Sequence, residues 1–347
     1  SHIIVDNLKL QEPGVYRLRV LGNDGKQLGI SNPIVCSKRP SALKMYWGDL
    51  HMHSNLSDGT GEPDYIYYSA RNIAGMDIAA LADHDFIISK NDGAWEKTIK
   101  LADECYQPGE FVTLLGYEFT ERKHGGDRNV YYLNDTGPLI DSGGDKMHPD
   151  ELYEQLEKLP FKSMVIPHGV VDTRFIKHSD PRFCRLAEVY STHGSSEAYP
   201  CDHFYGPDYA NYDIYPPESS YSDSLSTGYK MGAVGGTDDH GGQPGWGYNW
   251  HNYRGGIMGV LATELTREAV WEALWERRTI ATTGERIYLN MTVNDLMIGQ
   301  EGVIEGNPEI LISALGTDKI DLIEILRNEE IIHCFHGTSA DESRIFV

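Results

Sequence analysis

Between Met45 and Arg286 the sequence alternates short apolar runs with amphipathic ones, and this alternation restricts the fold more than any other feature. Strands are expected at Met45–His53, Asp77–Leu81, Phe111–Phe119, Val130–Leu133, Ser163–Pro167, Leu186–Tyr190, Met231–Gly235 and Ile257–Ala262. Helices are expected between several of them. Asp64–Ile73 follows Pro63 and stops at Gly75, and Pro149–Leu159 stops at Pro160. Thr266–Arg278 places Ala269, Val270, Ala273 and Leu274 on one helical face. Strand–helix alternation predicts a parallel sheet, and seven or eight such units predict an α/β barrel.

The two ends read differently. Residues 1–42 form a β-rich segment: Gly14–Val20 alternates, and Gly22-Asn-Asp-Gly25 is a turn signal. Residues 287–347 return to β at Tyr288–Val293, Glu309–Leu315 and Ile320–Leu326. Residues 43–286 are the barrel domain between them, and the two ends are expected to pair in one accessory module. The Gly-, Tyr- and Pro-rich stretch from Tyr199 to Gly228 is expected to be a long ordered loop.

Composition narrows the partners. The 347 residues are 40% hydrophobic and 24% charged, as expected for a soluble globular chain, with no apolar run long enough to span a membrane. A formal net charge of −22 argues against a nucleic-acid partner, because phosphate binding needs a basic surface. Five scattered cysteines with no CxxC pair indicate buried free thiols. The chain opens at Ser1-His2 without methionine, as a fragment would, so the natural N-terminus is expected to lie elsewhere and localisation stays open.

The expected strands end in metal-capable residues. Gly48-Asp-Leu-His-Met-His-Ser-Asn-Leu-Ser-Asp-Gly59 supplies His51, His53 and Asp58; positions i and i+2 of a strand share a face, so both imidazoles aim at one point. Asp83-His-Asp85 supplies His84, and Glu118 is a charge ending an apolar strand. His168 follows Ile166-Pro167, His193 follows Ser191-Thr192, and Thr237-Asp-Asp-His240 supplies Asp238 and His240. In an α/β barrel the strand C-termini gather at one mouth. These nine residues would therefore converge, and imidazoles with carboxylates and no thiolates suit two or three divalent ions such as zinc, manganese or iron. The other histidines, His148 and His178 among them, have no motif context.

The order HxH, SDG, DHD, strand-end Glu, PHG and DxH resembles the PHP (polymerase and histidinol phosphatase) superfamily of metal-dependent hydrolases. Tyr46-Trp-Gly-Asp-Leu-His, Leu265-Thr-Arg-Glu-Ala-Val and Arg278-Thr-Ile-Ala-Thr-Thr-Gly284 resemble the branch that includes carbaryl-hydrolase-like enzymes. The resemblance implies a distorted TIM-like (β/α)7 barrel. It implies a first metal on His51, His53, Glu118 and Asp238, and a second on Asp58, His84, His240 and the shared Glu118. A third would rest on His168 and His193. One departure stands out: Asp127 occupies the place of an expected histidine, with His124 three residues earlier.

Two ions roughly 3.5–4 Å apart can share a hydroxide nucleophile, so no Ser or Cys nucleophile is needed. Asp238 is a candidate proton shuttle. Arg128, Arg174 and Arg254 are candidates to hold a substrate phosphate, the alternative being salt-bridge partners in an acidic protein. A phosphoesterase acting on a small molecule is the leading expectation. Carboxyl-ester or carbamate hydrolysis is the close alternative, suggested by Trp246, Trp250 and Tyr253 as well as by the branch resemblance. A non-catalytic PHP-like binding or structural module is the third.

Overall fold

The computed structural model describes residues 8–38, 41–121, 123–124, 126–168, 176–198, 220–246, 254–337 and 344–346. Two short antiparallel ribbons open the chain. β1 (Gly14–Tyr16) pairs with β4 (Ile34–Cys36), and β2 (Arg19–Leu21) with β3 (Gln27–Ile30). Gly25, at φ 78°, takes the left-handed position that the β2–β3 turn requires.

The body contains β5 (Lys44–Asp49), β6 (Ile78–Ala80), β7 (Val112–Phe119), β8 (Arg128–Tyr132), β9 (Ser163–Pro167), β10 (Leu186–Ser191), β11 (Gly194–Ser195), β12 (Gly232–Gly235), β13 (Ile257–Ala262) and β14 (Thr279–Thr282). One curled seven-stranded sheet, a half-barrel, has the order β14-β13-β5-β6-β7-β8-β9; a second has the order β11-β10-β12. Single parallel bridges, His168↔Glu188 and Met52↔Asp239, link the two sheets where the strands end.

An all-parallel sheet was expected, and here the structure differs. In the large sheet only β5–β6 and β6–β7 are parallel; β7–β8, β8–β9, β5–β13 and β13–β14 are antiparallel. Parallel neighbours need a long crossover, usually helical, and only eight residues join Phe119 to Arg128, with no helix among those described, so β8 returns antiparallel. Continuous strand pairing around a closed TIM barrel is therefore absent among the described residues.

The described helices are α1 (Pro63–Asn72), α2 (Asp85–Ile88), α3 (Ala94–Glu104), α4 (Pro149–Glu157), α5 (Tyr221–Ser226) and α6 (Arg267–Trp275). The first, fourth and sixth lie where Pro or Thr start signals placed them: Pro63 and Pro149 open α1 and α4, and the Thr266 side chain accepts from Ala269 N. α5 interrupts the loop expected over 199–228, of which 199–219 lie outside the described residues.

Period-2 alternation along β7 builds two cores. Val112 and Leu114 face a cluster with Ile78, Ala80, Met164 and Ile166, closed by Val270, Trp271 and Leu274 of α6. Leu115, Tyr117 and Phe119 face the other way, into a cluster with Leu152 and Leu156 of α4. Glu118 shares the parity of Val112 and Leu114, so an inward strand face ends in a carboxylate.

The C-terminal region forms β15 (Tyr288–Val293), β16 (Leu296–Met297), β17 (Ile310–Leu315), a hairpin of β18 (Leu322–Arg327) and β19 (Glu330–His336), and β20 (Arg344–Phe346). Arg17 reaches it from the N-terminal ribbons, donating to Gly316 O at 2.6 Å and Thr317 O at 3.0 Å. Among the described residues no helix is long and apolar enough to cross a membrane.

Candidate metal centre

The backbone sets two histidine motifs side by side. Asp238 N donates to His51 O at 2.8 Å and His53 N to Asp239 O at 2.8 Å, so HxH and DxH run as adjacent parallel segments. Asp49 holds the far side, accepting from Thr237 N at 3.0 Å and Thr237 Oγ1 at 2.5 Å. Asp238 itself sits at φ 54°, an unusual conformation for a non-glycine residue and one that recurs at functional sites. The neighbouring acids fasten loops. Asp83 accepts from Ser54 N at 2.7 Å and Ser57 Oγ at 2.6 Å, holding the turn that carries Asp58. Asp85 accepts from Thr120 N at 3.0 Å, and Asp239 from Gly241 N at 2.9 Å.

Three imidazoles are oriented from behind. Both oxygens of Glu188 lie 3.1 Å from His51 Nδ1, Asp238 O lies 3.1 Å from His240 Nδ1, and Thr120 Oγ1 lies 2.8 Å from His84 Nδ1. A carboxylate or carbonyl can only accept, so Nδ1 of His51 and of His240 carries the proton and Nε2 presents a lone pair. An acceptor behind a histidine is the usual support for a metal ligand.

In front, electron-pair atoms crowd together. His51 Nε2 is 3.3 Å from His53 Nε2, 3.3 Å from Asp238 Oδ1 and 3.5 Å from Glu118 Oε2. His53 Nε2 is 3.1 Å from Glu118 Oε2 and 3.2 Å from Asp238 Oδ1. Tetrahedral ligands at a metal–donor distance of about 2.0–2.1 Å stand about 3.3 Å apart. Among the described residues, Glu118 Oε2, His53 Nδ1 and His168 Nδ1 are buried without hydrogen-bond partners. Such groups carry a desolvation cost unless something else pairs with them, and a cation is what this donor set fits.

Two further groups adjoin the first. Asp58 faces His240 Nε2 at 3.3 Å, His84 Nε2 at 3.6 Å and His53 Nδ1 at 3.8 Å. Glu118 Oε1 faces His168 Nε2 at 3.0 Å, with His51 in the same group.

The electrostatics agree. Burial raises the carboxyl pKa of Glu118, but His84, His168 and His51 outweigh it and hold the group well below its ordinary value. Asp238 behaves alike through His51, His193 and His53. At Asp58 burial is again outweighed, by His240, His84 and His53, and the pKa falls to about 2. Among the described residues no Lys or Arg ion pair with these three carboxylates occurs; their partners are imidazoles.

All nine candidate ligands lie within 4.0 Å of another member of the set. The grouping departs from that implied by the resemblance. His168 rests on Glu118, whereas His193 Nε2 lies 3.0 Å from Asp238 Oδ2, so the two expected to share a third ion meet different carboxylates. Around Asp58 the group includes His53 rather than Glu118. Of the arginines, Arg174 lies outside the described residues, as do Trp250 and Tyr253. Arg128 does not offer a free phosphate clamp: it is completely buried, donating to Gly126 O, to Lys177 O at 2.6 Å and to Tyr153 Oη at 3.3 Å. Arg254 pairs with Glu285 and lies over the Trp246 ring at 4.7 Å, the salt-bridge alternative.

Glu188 was missed, although its signal matched that of Glu118: a carboxylate inside the buried strand Leu186–Ser191. A Cβ on Gly236 would collide with Glu188 Oε2 and lie 2.9 Å from the His51 Cβ, so glycine there makes room for this support. Glu188→Ala is expected to weaken metal binding by roughly 10–100-fold, with Glu188→Gln weakening it less. Competition with a chromophoric chelator measures this, and unchanged affinity in both variants would refute the role.

A model of a protein family of unknown function, DUF3604, matches residues 64–170 and 246–294. An uncharacterized protein of Chlamydia trachomatis is 27% identical over 359 residues, covering 96% of this chain and 55% of its own length. The chain thus spans about half the length of the curated relatives it matches. Among solved structures, a two-domain protein from Bacteroides vulgatus containing a predicted PHP-like metal-dependent phosphoesterase superposes with a TM-score of 0.50 at 16% identity, covering 88% of this chain and 86% of that one. A lesion-specific endonuclease from Pyrococcus furiosus superposes with a TM-score of 0.41 at 13% identity, covering 67% of this chain and 56% of that one. The chain is an α/β protein whose curled half-barrel sheet is consistent with a PHP-like fold, and it carries histidine–carboxylate clusters at its strand ends.

Proposed function

We propose that this chain is a metal-dependent hydrolase acting on phosphate esters, with residues 43–286 as the catalytic unit. The observation that carries the reading is the crowd of buried lone-pair atoms formed by His51, His53, Glu118 and Asp238, spaced 3.1–3.5 Å apart. His51, His53 and Asp238 would hold one divalent ion, with Glu118 beside them. His84, His240 and Asp58 would hold a second, and His168 with Glu118 would complete a third position. Zinc, manganese and iron all suit this donor set. Ions held there would lower the pKa of water and neutralise charge developing on the substrate.

The chain's own residues divide the remaining work. Asp238 turns Oδ1 toward His51 and His53 and Oδ2 toward His193, so it joins the centre to a partly exposed imidazole. His193 is placed to pass a proton between Asp238 Oδ2 and the solvent side. Glu188 and the Asp238 carbonyl keep the tautomers of His51 and His240 in which Nε2 faces inward, and Thr120 Oγ1 orients the His84 ring. The preference for phosphate over carboxyl esters or carbamates is supported by the description of the Bacteroides neighbour, not by Arg128 or Arg254.

The test is elemental analysis of the purified protein, then assay of phosphomonoesters, phosphodiesters, aryl esters and carbamates with and without chelator. Chelator-sensitive cleavage of a phosphate ester is the expected result. Cleavage of aryl esters or carbamates alone would move the assignment to the carboxyl-ester alternative. Metal-free protein of full stability would move it to a non-catalytic module.

A further inference from the structure

Outside this centre a second set of histidines comes together from three separate loops. His124 follows β7, His148 is the N-cap residue of α4, and His178 lies in the turn before β10. Their rings form a row, with centroids 4.8 Å apart for His124–His148 and 4.7 Å for His148–His178. Asp150 faces the row, with Oδ2 3.4 Å from His148 Nδ1 and Oδ1 4.0 Å from His178 Nδ1. Among the described residues, His148, Asp150 and His178 are a group outside the main centre whose ligand atoms lie within 4.8 Å of one another.

Local structure holds each member in place. His178 is at φ 63°, a left-handed conformation unusual for a residue with a Cβ, and Arg128 Nη2 braces the preceding Lys177 carbonyl at 2.6 Å. Glu121 Oε1 lies 2.8 Å from His124 Nδ1, leaving Nε2 on the open side of the ring. That is the carboxylate-behind-imidazole arrangement already seen at His51. His148 Nδ1 accepts a long 3.2 Å hydrogen bond from Asp150 N, which an ion bound at Nδ1 would replace. The partial exposure of the histidines and the exposure of Asp150 leave an entry path from solvent.

We propose that His148, Asp150 and His178, with His124 alongside, form a separate site for a transition-metal ion of the zinc class. Two imidazoles and one carboxylate suit such an ion, and the 3.4 and 4.0 Å separations need little contraction to reach the about 3.3 Å edge of a tetrahedral zinc site. An ion there ties together the loop after β7, the start of α4 and the turn at residues 176–179. Arg128 already links the first and third of these through Gly126 and Lys177. The same loop leads to Asp127, whose carbonyl accepts from His168 N at 3.2 Å, so the clip lies one connection from the main centre. The site does not depend on what the main centre hydrolyses.

Zinc titration of the full chain against a chromophoric chelator tests the proposal, comparing the unaltered protein with His178→Asn and Asp150→Asn. Asparagine tolerates the left-handed backbone at 178, and position 150 is exposed, so both substitutions are chosen to preserve the fold; circular dichroism checks it. The unaltered protein is expected to bind one zinc ion more than His178→Asn, and Asp150→Asn to bind that ion at least tenfold more weakly. Crystals soaked in zinc are expected to show an anomalous scattering peak between His148 and His178. Equal stoichiometry and affinity in all three proteins would overturn the site. If a variant misfolds, absence of that peak in the unaltered protein overturns it alone.

Discussion

Replacing Glu118 with alanine is expected to strip metal from the centre and reduce hydrolysis about a thousandfold, roughly 4 kcal/mol of transition-state stabilisation. Glu118 ends the inward face of β7 and approaches His51, His53, His84 and His168, all within 3.5 Å. Among the described residues no other carboxylate pairs with both His84 and His168, so its removal loosens more than one ion position at once. Cavity formation alone would not produce this result, because the lost atoms are polar and the site borders solvent through Asp58 and His240. Glu118→Gln separates charge from shape: it keeps the volume but loses the negative charge, and should retain a small part of both metal and activity. Inductively coupled plasma analysis and steady-state kinetics on the same preparations provide the measurement. A Glu118→Ala protein with full metal content and full chelator-sensitive activity would refute the assigned centre.

Removing the metal should also lower the melting temperature by several degrees. Glu118 and Asp238 are buried, and the described partners of both are histidines rather than lysines or arginines. Ions that bind the folded chain but not the unfolded one stabilise it by mass action, about 4 kcal/mol for one site at a thousand times its dissociation constant. Without them the carboxylates rely on protons shared with His51 and His53, whose pKa values burial lowers but whose acidic neighbours raise, to about 10 for His53. Calorimetry before and after chelation, then after zinc or manganese is restored, measures the difference. Identical melting of metal-loaded and metal-free protein would mean that the cluster is not a metal centre.

How much of this was legible depended on the range of the interaction involved. His51 and His53, or Asp238 and His240, could be read as pairs because spacing of two on an extended segment aims both side chains one way. Glu118 was legible as a charge ending an apolar strand. Glu188 carries the same signal but lay inside a strand, not at its end, so only the 3.1 Å contacts to His51 show its place. Arg128 illustrates the opposite error. A cation beside ligand motifs reads as a substrate clamp, yet it lies fully buried, bonded to backbone carbonyls and the Tyr153 hydroxyl. The antiparallel course of β8 was missed because pairing direction follows from the connection and from partners distant in sequence.

What the sequence by itself determined is part of the inventory: the eight strands of the body that it marks, the helices α1, α4 and α6, and the imidazoles and carboxylates that follow or end those strands, whereas α2, α3 and α5 carried no signal that was read. Those properties depend on residue type, side-chain periodicity and start or stop signals, all local. Only the tertiary structure decided the grouping: His168 with Glu118, His193 with Asp238, Glu188 behind His51, and His148 with Asp150 and His178. The reason is geometric. Hydrogen bonds and metal-type contacts act over about 3 Å, and sheet curvature and loop course choose which side chains come that close.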